Sequence, residues 1–220
     1  SVDDDGAASD PLTVIAEVTP VNDAPVMTGD LAIAVDEGAA IILRVSDILA
    51  TDVDNDDDTL VYSVSNLVNG VVEVAGMVVT SFTGAQLANG EVLFRHDGSE
   101  TTSASFDVFA EDADGEPTQT VTVAATVTPQ NDLPVFTGDL EITLQRRADY
   151  VLTLADIGVI DPDNADAELE FVFINAVNID IEVNGQSPTR ITQADIAAGS
   201  VVLSRPDDAA NSSFSIGVLD

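Results

Sequence analysis

Aspartate is the residue through which this chain could do chemistry, because it falls in tight groups. Residues 52–58 read DVDNDDD, residues 112–116 DADGE and residues 161–163 DPD. A D-x-D pair in a turn points two carboxylates toward one point, and calcium, a hard cation, takes about six to eight such oxygens. Aspartate and asparagine also favour turns for backbone reasons alone, and that reading suits Asp56, Asp57 and Asp58 best. By direct count Asp outnumbers Glu 29 to 11, and the basic residues are six arginines, giving a net charge of −34. Mutual repulsion in Asp52–Asp58 makes sense if cations sit between the carboxylates. A diffuse acidic surface adapted to high salt is the competing account. The words are not EF-hands, since the sixth position counted from Asp52 is Asp57 rather than Gly and the twelfth is Ser63 rather than Glu.

Other chemistries lack their groups. One histidine, His96, is present, with no lysine, cysteine or tryptophan. Thiol nucleophiles, disulfides, zinc–thiolate sites and Walker loops therefore have nothing to work with, and general acid–base catalysis has little. No G-x-S-x-G occurs, so His96 in FRHDG reads as structural. The acidic charge repels nucleic acid and anionic membrane. No eighteen-residue apolar run and no signal-peptide pattern occurs, which predicts a soluble piece. The sequon at Asn211 and Ser213 is left unassigned.

The elements that carry the aspartates recur. Residues 18–31 read VTPVNDAPVMTGDL and residues 127–140 read VTPQNDLPVFTGDL, an offset of 131 − 22 = 109. The register runs on without a gap, placing Asp52 on Asp161, Asp54 on Asp163 and Gly90 on Gly199. A one-residue deletion between RHDGSETTSASF and SRPDDAANSSF then pairs Phe106 with Phe214 and Asp112 with Asp220.

Apolar residues alternate within each unit, as in Leu31, Ile33, Val35, then Leu60, Tyr62, Val64, then Phe106, Val108, Ala110, then Val121, Val123, Ala125, Val127. Period two means half-buried strands. About seven such runs per hundred-residue unit predict two-sheet Greek-key sandwiches, an all-β tandem. TQADIAAG and its counterpart TGAQLANG predict a short helical turn, with Thr192 as cap, Asp195 three residues on and Gly199 as the stop.

NDAPV resembles the linker of cadherin-like repeats, LATDVDNDDDTLVYSV their acidic loop and AEDADGEP the turn before their last strand. FTGAQLANGEVLFRHDGSETTSASF is similar to the chondroitin sulphate proteoglycan type of cadherin-like repeat. Together these words cover nearly the whole chain and resemble the tandem repeats of large secreted bacterial adhesins. The resemblance implies an immunoglobulin/cadherin-like sandwich with Ca2+ at the junctions between repeats. At Asn131 and Asp132 the implied ligands are Glu37 and Asp97 from upstream, with Asp161, Asp163 and Asp220 from downstream. At Asn22 and Asp23 they are Asp52, Asp54 and Asp112, with Asp114 as a further candidate. In the second repeat Arg146 stands where Glu37 stands in the first, and a guanidinium cannot ligate calcium, so the junction after that repeat is expected to be weak or metal-free.

Projected onto the repeat, residues 1–19 are the last strand of a preceding repeat, residues 20–129 a complete repeat, and residues 130–220 a second repeat without its final strand. LTVIAEV is the first of these strands. A cut from a longer array accounts for the split, and so does donation of residues 11–19 to the next molecule. The expected role is a non-catalytic, calcium-stiffened stalk of a secreted surface adhesin, partnered by neighbouring repeats. The alternatives are a filament or sheath subunit joined head to tail by the donated strand and, less in keeping with the scarce aromatics, a carbohydrate-binding module.

Overall fold

The computed structural model describes residue 6 and residues 10–145, 148–205 and 212–220. Two compact units divide the chain: unit 1 is Ser1–Ser99 with Ser103–Val127, and unit 2 is Thr128–Asp220 with Glu100–Thr102.

Unit 1 holds β1 (Val26–Thr28), β2 (Ala32–Asp36), β3 (Ala40–Ile42), β4 (Leu49–Thr51), β5 (Val61–Val68), β6 (Gly70–Val74), β7 (Met77–Val78), β8 (Ser81–Thr83), α1 (Gly84–Ala88), β9 (Val92–His96), β10 (Ser103–Glu111) and β11 (Val121–Thr128). One sheet has the order β2-β11-β10-β5-β8 and the other β3-β9-β6-β7, with β1 paired to β4. Their inner faces close on Tyr62, Phe94, Phe106, Leu43 and Leu60, all sealed from solvent. Tyr62 stacks on Phe82 at 5.0 Å and its hydroxyl accepts from the Ala50 N–H at 2.7 Å, so this polar tip in the core is paired.

Unit 2 repeats this pattern with β12 (Val135–Thr137), β13 (Tyr150–Val151), β14 (Gly158–Ile160), β15 (Glu170–Val177), β16 (Asp180–Val183), β17 (Arg190–Thr192), α2 (Gln193–Ala197), β18 (Val201–Ser204) and β19 (Ser213–Leu219). Its sheets are β17-β15-β19 and β13-β18-β16, with β12 paired to β14. Thr83 with Gln86, and Thr192 with Asp195, form complete capping boxes on the two short helices, as the sequence predicts.

The shared TGDL word has a backbone reason. Leu31 and Leu140 sit at φ 57° and 56°, and Gly29 and Gly138 precede them at φ 118° and 91°. A Cβ on Gly138 would meet the Asp156 carbonyl at 2.7 Å, so the turn can pack there only with glycine. The Leu31 and Leu140 N–H groups then donate to the carbonyls of Asp47 and Asp156, each at 3.0 Å.

Unit 2 differs from unit 1 at one edge of its sheets. β2 lies at the edge of its sheet, hydrogen-bonded through β11 alone. Among the described residues, unit 2 has no strand in the place of β11, and residues 141–145, the counterpart of β2, are not paired. Without a neighbour, the backbone groups there have no ladder to join. What remains is a cleft of about 310 Å³ lined by Leu140, Ile142, Leu144, Ile157, Phe214 and Ile216.

Candidate metal centres

In unit 1 the residues after β4 and after β10 meet the Asn22–Asp23 segment. Asp52 closes the turn: its Oδ1 accepts from the Asp54 N–H at 2.7 Å and the Asn55 N–H at 2.8 Å. The Asp23 N–H donates to Asp54 Oδ2 at 2.8 Å, and Asn22 Nδ2 donates to Asp112 Oδ2 at 2.8 Å. Asp112 Oδ1 gathers the N–H groups of Asp114 and Glu116. Asn22, Asp54, Asn55 and Asp114 line one cleft. Hydrogen bonds therefore join the sequence-predicted Asn22 to Asp112 and Asp114, and Asp23 to Asp54 and Asp52.

Unit 2 repeats the arrangement. Asp161 Oδ1 accepts from the N–H groups of Asp163 and Asn164, both at 3.0 Å. The Asp132 N–H donates to Asp163 Oδ2 at 2.6 Å, and Asn131 Nδ2 to Asp220 Oδ2 at 2.6 Å. Asn131, Asp132, Asp161, Asp163 and Asp220 thus also converge.

These bonds leave matching gaps. Asp52 Oδ2 and Asp161 Oδ2 are each closed off from solvent with no hydrogen-bond partner among the described residues. A carboxylate oxygen so placed is costly unless a cation meets it. Asn164 Oδ1 is buried and unpartnered in the same way. Asn55 and Asn164 were not singled out in the sequence, although both directly follow the D-x-D word at the 109-residue offset.

Two carboxylates of the unit 1 cluster, Asp52 and Asp112, are held ionised. Backbone N–H bonds, that of Asp54 first, outweigh desolvation and bring Asp52 below the ordinary carboxylate range. The Asn22 amide, helped by the Glu116 N–H, does the same to Asp112. Ionised carboxylate oxygens held close together are the kind of ligand a hard cation takes.

Glu37 and Asp97 occupy a different end of unit 1. β10 spans nine residues, about 30 Å, and separates the Asp97 loop from Asp112. Asp97 Oδ1 accepts from Ser99 N–H and Oγ at 3.0 and 2.6 Å, which shapes its turn. His96 is 1% exposed, and its Nδ1 accepts from the Gly38 N–H at 3.3 Å and the Gly98 N–H at 3.2 Å. The imidazole staples the turn carrying Glu37 to the turn carrying Asp97, the structural role expected of it. Asp56 caps the 3-10 turn Asp57–Thr59, and Asp57 accepts from the Asp52 N–H, so these two serve backbone structure. Arg146 and Asn211 lie outside the described residues.

Among the described residues no helix is long and apolar enough to cross a membrane. Residues 25–127 match the family model described as Cadherin-like. FRAS1-related extracellular matrix protein 1 of Homo sapiens is 28% identical over 78% of this chain, and Extracellular matrix protein 3 of Lytechinus variegatus 25% identical over 78%. Chondroitin sulfate proteoglycan 4 of Homo sapiens is 37% identical over 41% of this chain. The matched stretches span 9%, 6% and 4% of those proteins respectively. The solved D00-D0 domain of Intimin aligns with 89% of this chain and 99% of its own length at 12% identity, with a TM-score of 0.33. Two packed sheets, an acidic linker bound to its D-x-D turn and the family match converge: residues 25–127 are a cadherin-like repeat.

Proposed function

We propose that the chain is a non-catalytic spacer segment of an extracellular adhesion or matrix protein, stiffened by calcium at its Asn-Asp linkers. The observation that carries this reading is the repeated buried oxygen, Asp52 Oδ2 in one unit and Asp161 Oδ2 in the other. In unit 1 the ion would be held by Asp52, Asp54 and Asp112 with Asn22, Asp23 and Asp114. In unit 2 it would be held by Asp161, Asp163 and Asp220 with Asn131 and Asp132. Bound calcium supplies charge neutralisation and ties the linker to the turns below it. Glu37 and Asp97 are the oxygens unit 1 would contribute to an ion at its other end. The relatives named as extracellular matrix proteins support placement outside the cell.

Thermal unfolding in calcium against chelator, with magnesium as control, tests the reading. At about ten times its Kd a single site adds about 1.4 kcal/mol, which raises the melting temperature by a few degrees. Magnesium, which prefers to keep its waters, should do less. An unchanged melting temperature in calcium overturns the proposal.

A further inference from the structure

The backbone just ahead of each D-x-D word needs a partner, and the two units supply it with different side chains. Among the described residues β4 and β14 each pair with one strand, β1 and β12 respectively. On the other side of β4 the Ala50 N–H donates to the Tyr62 hydroxyl at 2.7 Å. The residue in register with Ala50 in unit 2 is Val159, but the one in register with Tyr62 is Phe171, which has no hydroxyl to offer. Gln193 takes over there. Its Oε1 accepts from the Val159 N–H at 2.6 Å and its Nε2 donates to the Val159 carbonyl at 2.9 Å, so one carboxamide pairs both backbone groups as a neighbouring strand would. The same Nε2 donates to Asp166 Oδ1 at 2.8 Å.

The two arrangements are matched pairs. Gln193 is in register with Gly84, where a Cβ would run into the Asp57 carbonyl, so unit 1 has no room for a side chain at that position. Tyr62 with Gly84 serves one unit and Phe171 with Gln193 the other. Gln193 and Val159 are each 4% exposed, and a polar side chain so deeply buried is held by its bonds. Those bonds reach both flanks of the acidic turn. Val159 lies two residues before Asp161 and Asp166 two residues after Asn164, so a single side chain ties down the segment that carries Asp161, Asp163 and Asn164.

We infer that Gln193 is a positioning residue for the cation site of unit 2: it fixes the flanks of the DPD turn and so holds the Asp161 and Asp163 carboxylates in place, as Tyr62 does from one side for Asp52 and Asp54 in unit 1. Its calcium readout rests on the proposed function, whereas the positioning is measurable without any ion.

The test uses the full 220-residue chain. Gln193→Leu removes the bonds and keeps an apolar side chain in the core. In chelator the Val159 N–H should exchange faster by about tenfold, the factor that one buried hydrogen bond carries. In calcium the unit 2 site should weaken by roughly 10–100-fold, as when other partners that orient a metal's ligands are lost, while the unit 1 site keeps its affinity. Gln193→Gly with Phe171→Tyr transplants the unit 1 arrangement. Gln193→Gly alone leaves Val159 without its partner, and Phe171→Tyr alone crowds a hydroxyl against an N–H already taken, so each should lower the stability of unit 2. Together they should restore the protection of Val159 and harm unit 2 less than either change alone. This comparison holds however well Gln193→Leu folds. Tyr62→Phe should speed exchange at Ala50 and leave Val159 as it was. Unchanged Val159 exchange in Gln193→Leu, equal weakening of both cation sites, or a double variant as impaired as the sum of its parts would overturn the inference. A chain that binds no calcium would contradict the proposed function alone, because exchange and the coupling of positions 171 and 193 are read in chelator and decide the positioning by themselves.

Discussion

In unit 1, Phe106, Val108 and Ala110 are sealed from solvent, whereas their counterparts Phe214, Ile216 and Val218 in unit 2 are only partly buried. The residues at issue are equally apolar, and β10 and β19 pair in the same way with β5 and β15. What differs is the neighbour: β11 covers one set and nothing among the described residues covers the other. Burial at these positions is thus a property of the completed sheet rather than of the strand that carries the side chains. The acidic ends differ far less, since each is assembled from an Asn-Asp segment, a D-x-D turn and the residue after one long strand. These local hydrogen bonds form alike in both units.

The largest expected effect separates the two cores. Phe106→Ala should destabilise unit 1 by about 3–5 kcal/mol, the range for a fully buried phenylalanine. Phe214→Ala should cost about half as much, because less of the ring is removed from water. Urea unfolding of the full chain, followed by probes specific to each unit, measures both. Equal costs would break the comparison.

A smaller effect concerns the staple present in unit 1 alone. His96 is replaced at the corresponding position by Arg205, whose Nε is buried without a partner among the described residues. His96→Leu leaves the Gly38 and Gly98 N–H groups without their acceptor and should cost unit 1 about 1–2 kcal/mol. Amide exchange should quicken in residues 37–39 and 97–99 and stay unchanged in unit 2. No change at either turn would show that packing, not the imidazole, holds them.

Acid should act on the same acidic end in a direction fixed by linkage. Asp52 and Asp112 ionise more readily folded than unfolded, through the bonds from Asp54 and Asn22. Their contribution is complete above the ordinary carboxylate range, around pH 4, and is lost as pH falls through their lowered values. In chelator, unit 1 should therefore lose stability from about pH 5 downward, and Asp112→Asn should flatten that slope. An unaltered slope would remove Asp112 from the account. The smallest effect belongs to the exposed pair Arg190 and Glu170 at 2.6 Å, where Arg190→Ala should change stability by under about 1 kcal/mol.

Much of this was legible in the sequence because two-residue periodicity and a gapless repeat are strong signals. The alternation of Phe106, Val108 and Ala110, the capping pair Thr192 with Asp195, and the aspartates after β4 and β10 could all be read directly. Three features could not. Leu31 and Leu140 adopt a left-handed backbone that leucine disfavours, and only the close approach of the Asp47 and Asp156 carbonyls, a tertiary contact, requires it. Asn55 and Asn164 look like ordinary turn residues until Asp52 and Asp161 are seen folding back on their N–H groups. Residues 141–145 carry the same alternation as β2 yet form no strand, because alternation specifies a face while pairing needs a neighbour.

Calorimetric titration of the full chain with calcium, beside Asp52→Ala and Asp161→Ala, tests the central claim most directly. The account predicts binding at both linkers in the range of extracellular modules, roughly 0.1–1 mM, with each substitution removing the site of its own unit and leaving the other. Absence of calcium binding at millimolar concentration, or binding that neither substitution alters, would contradict it.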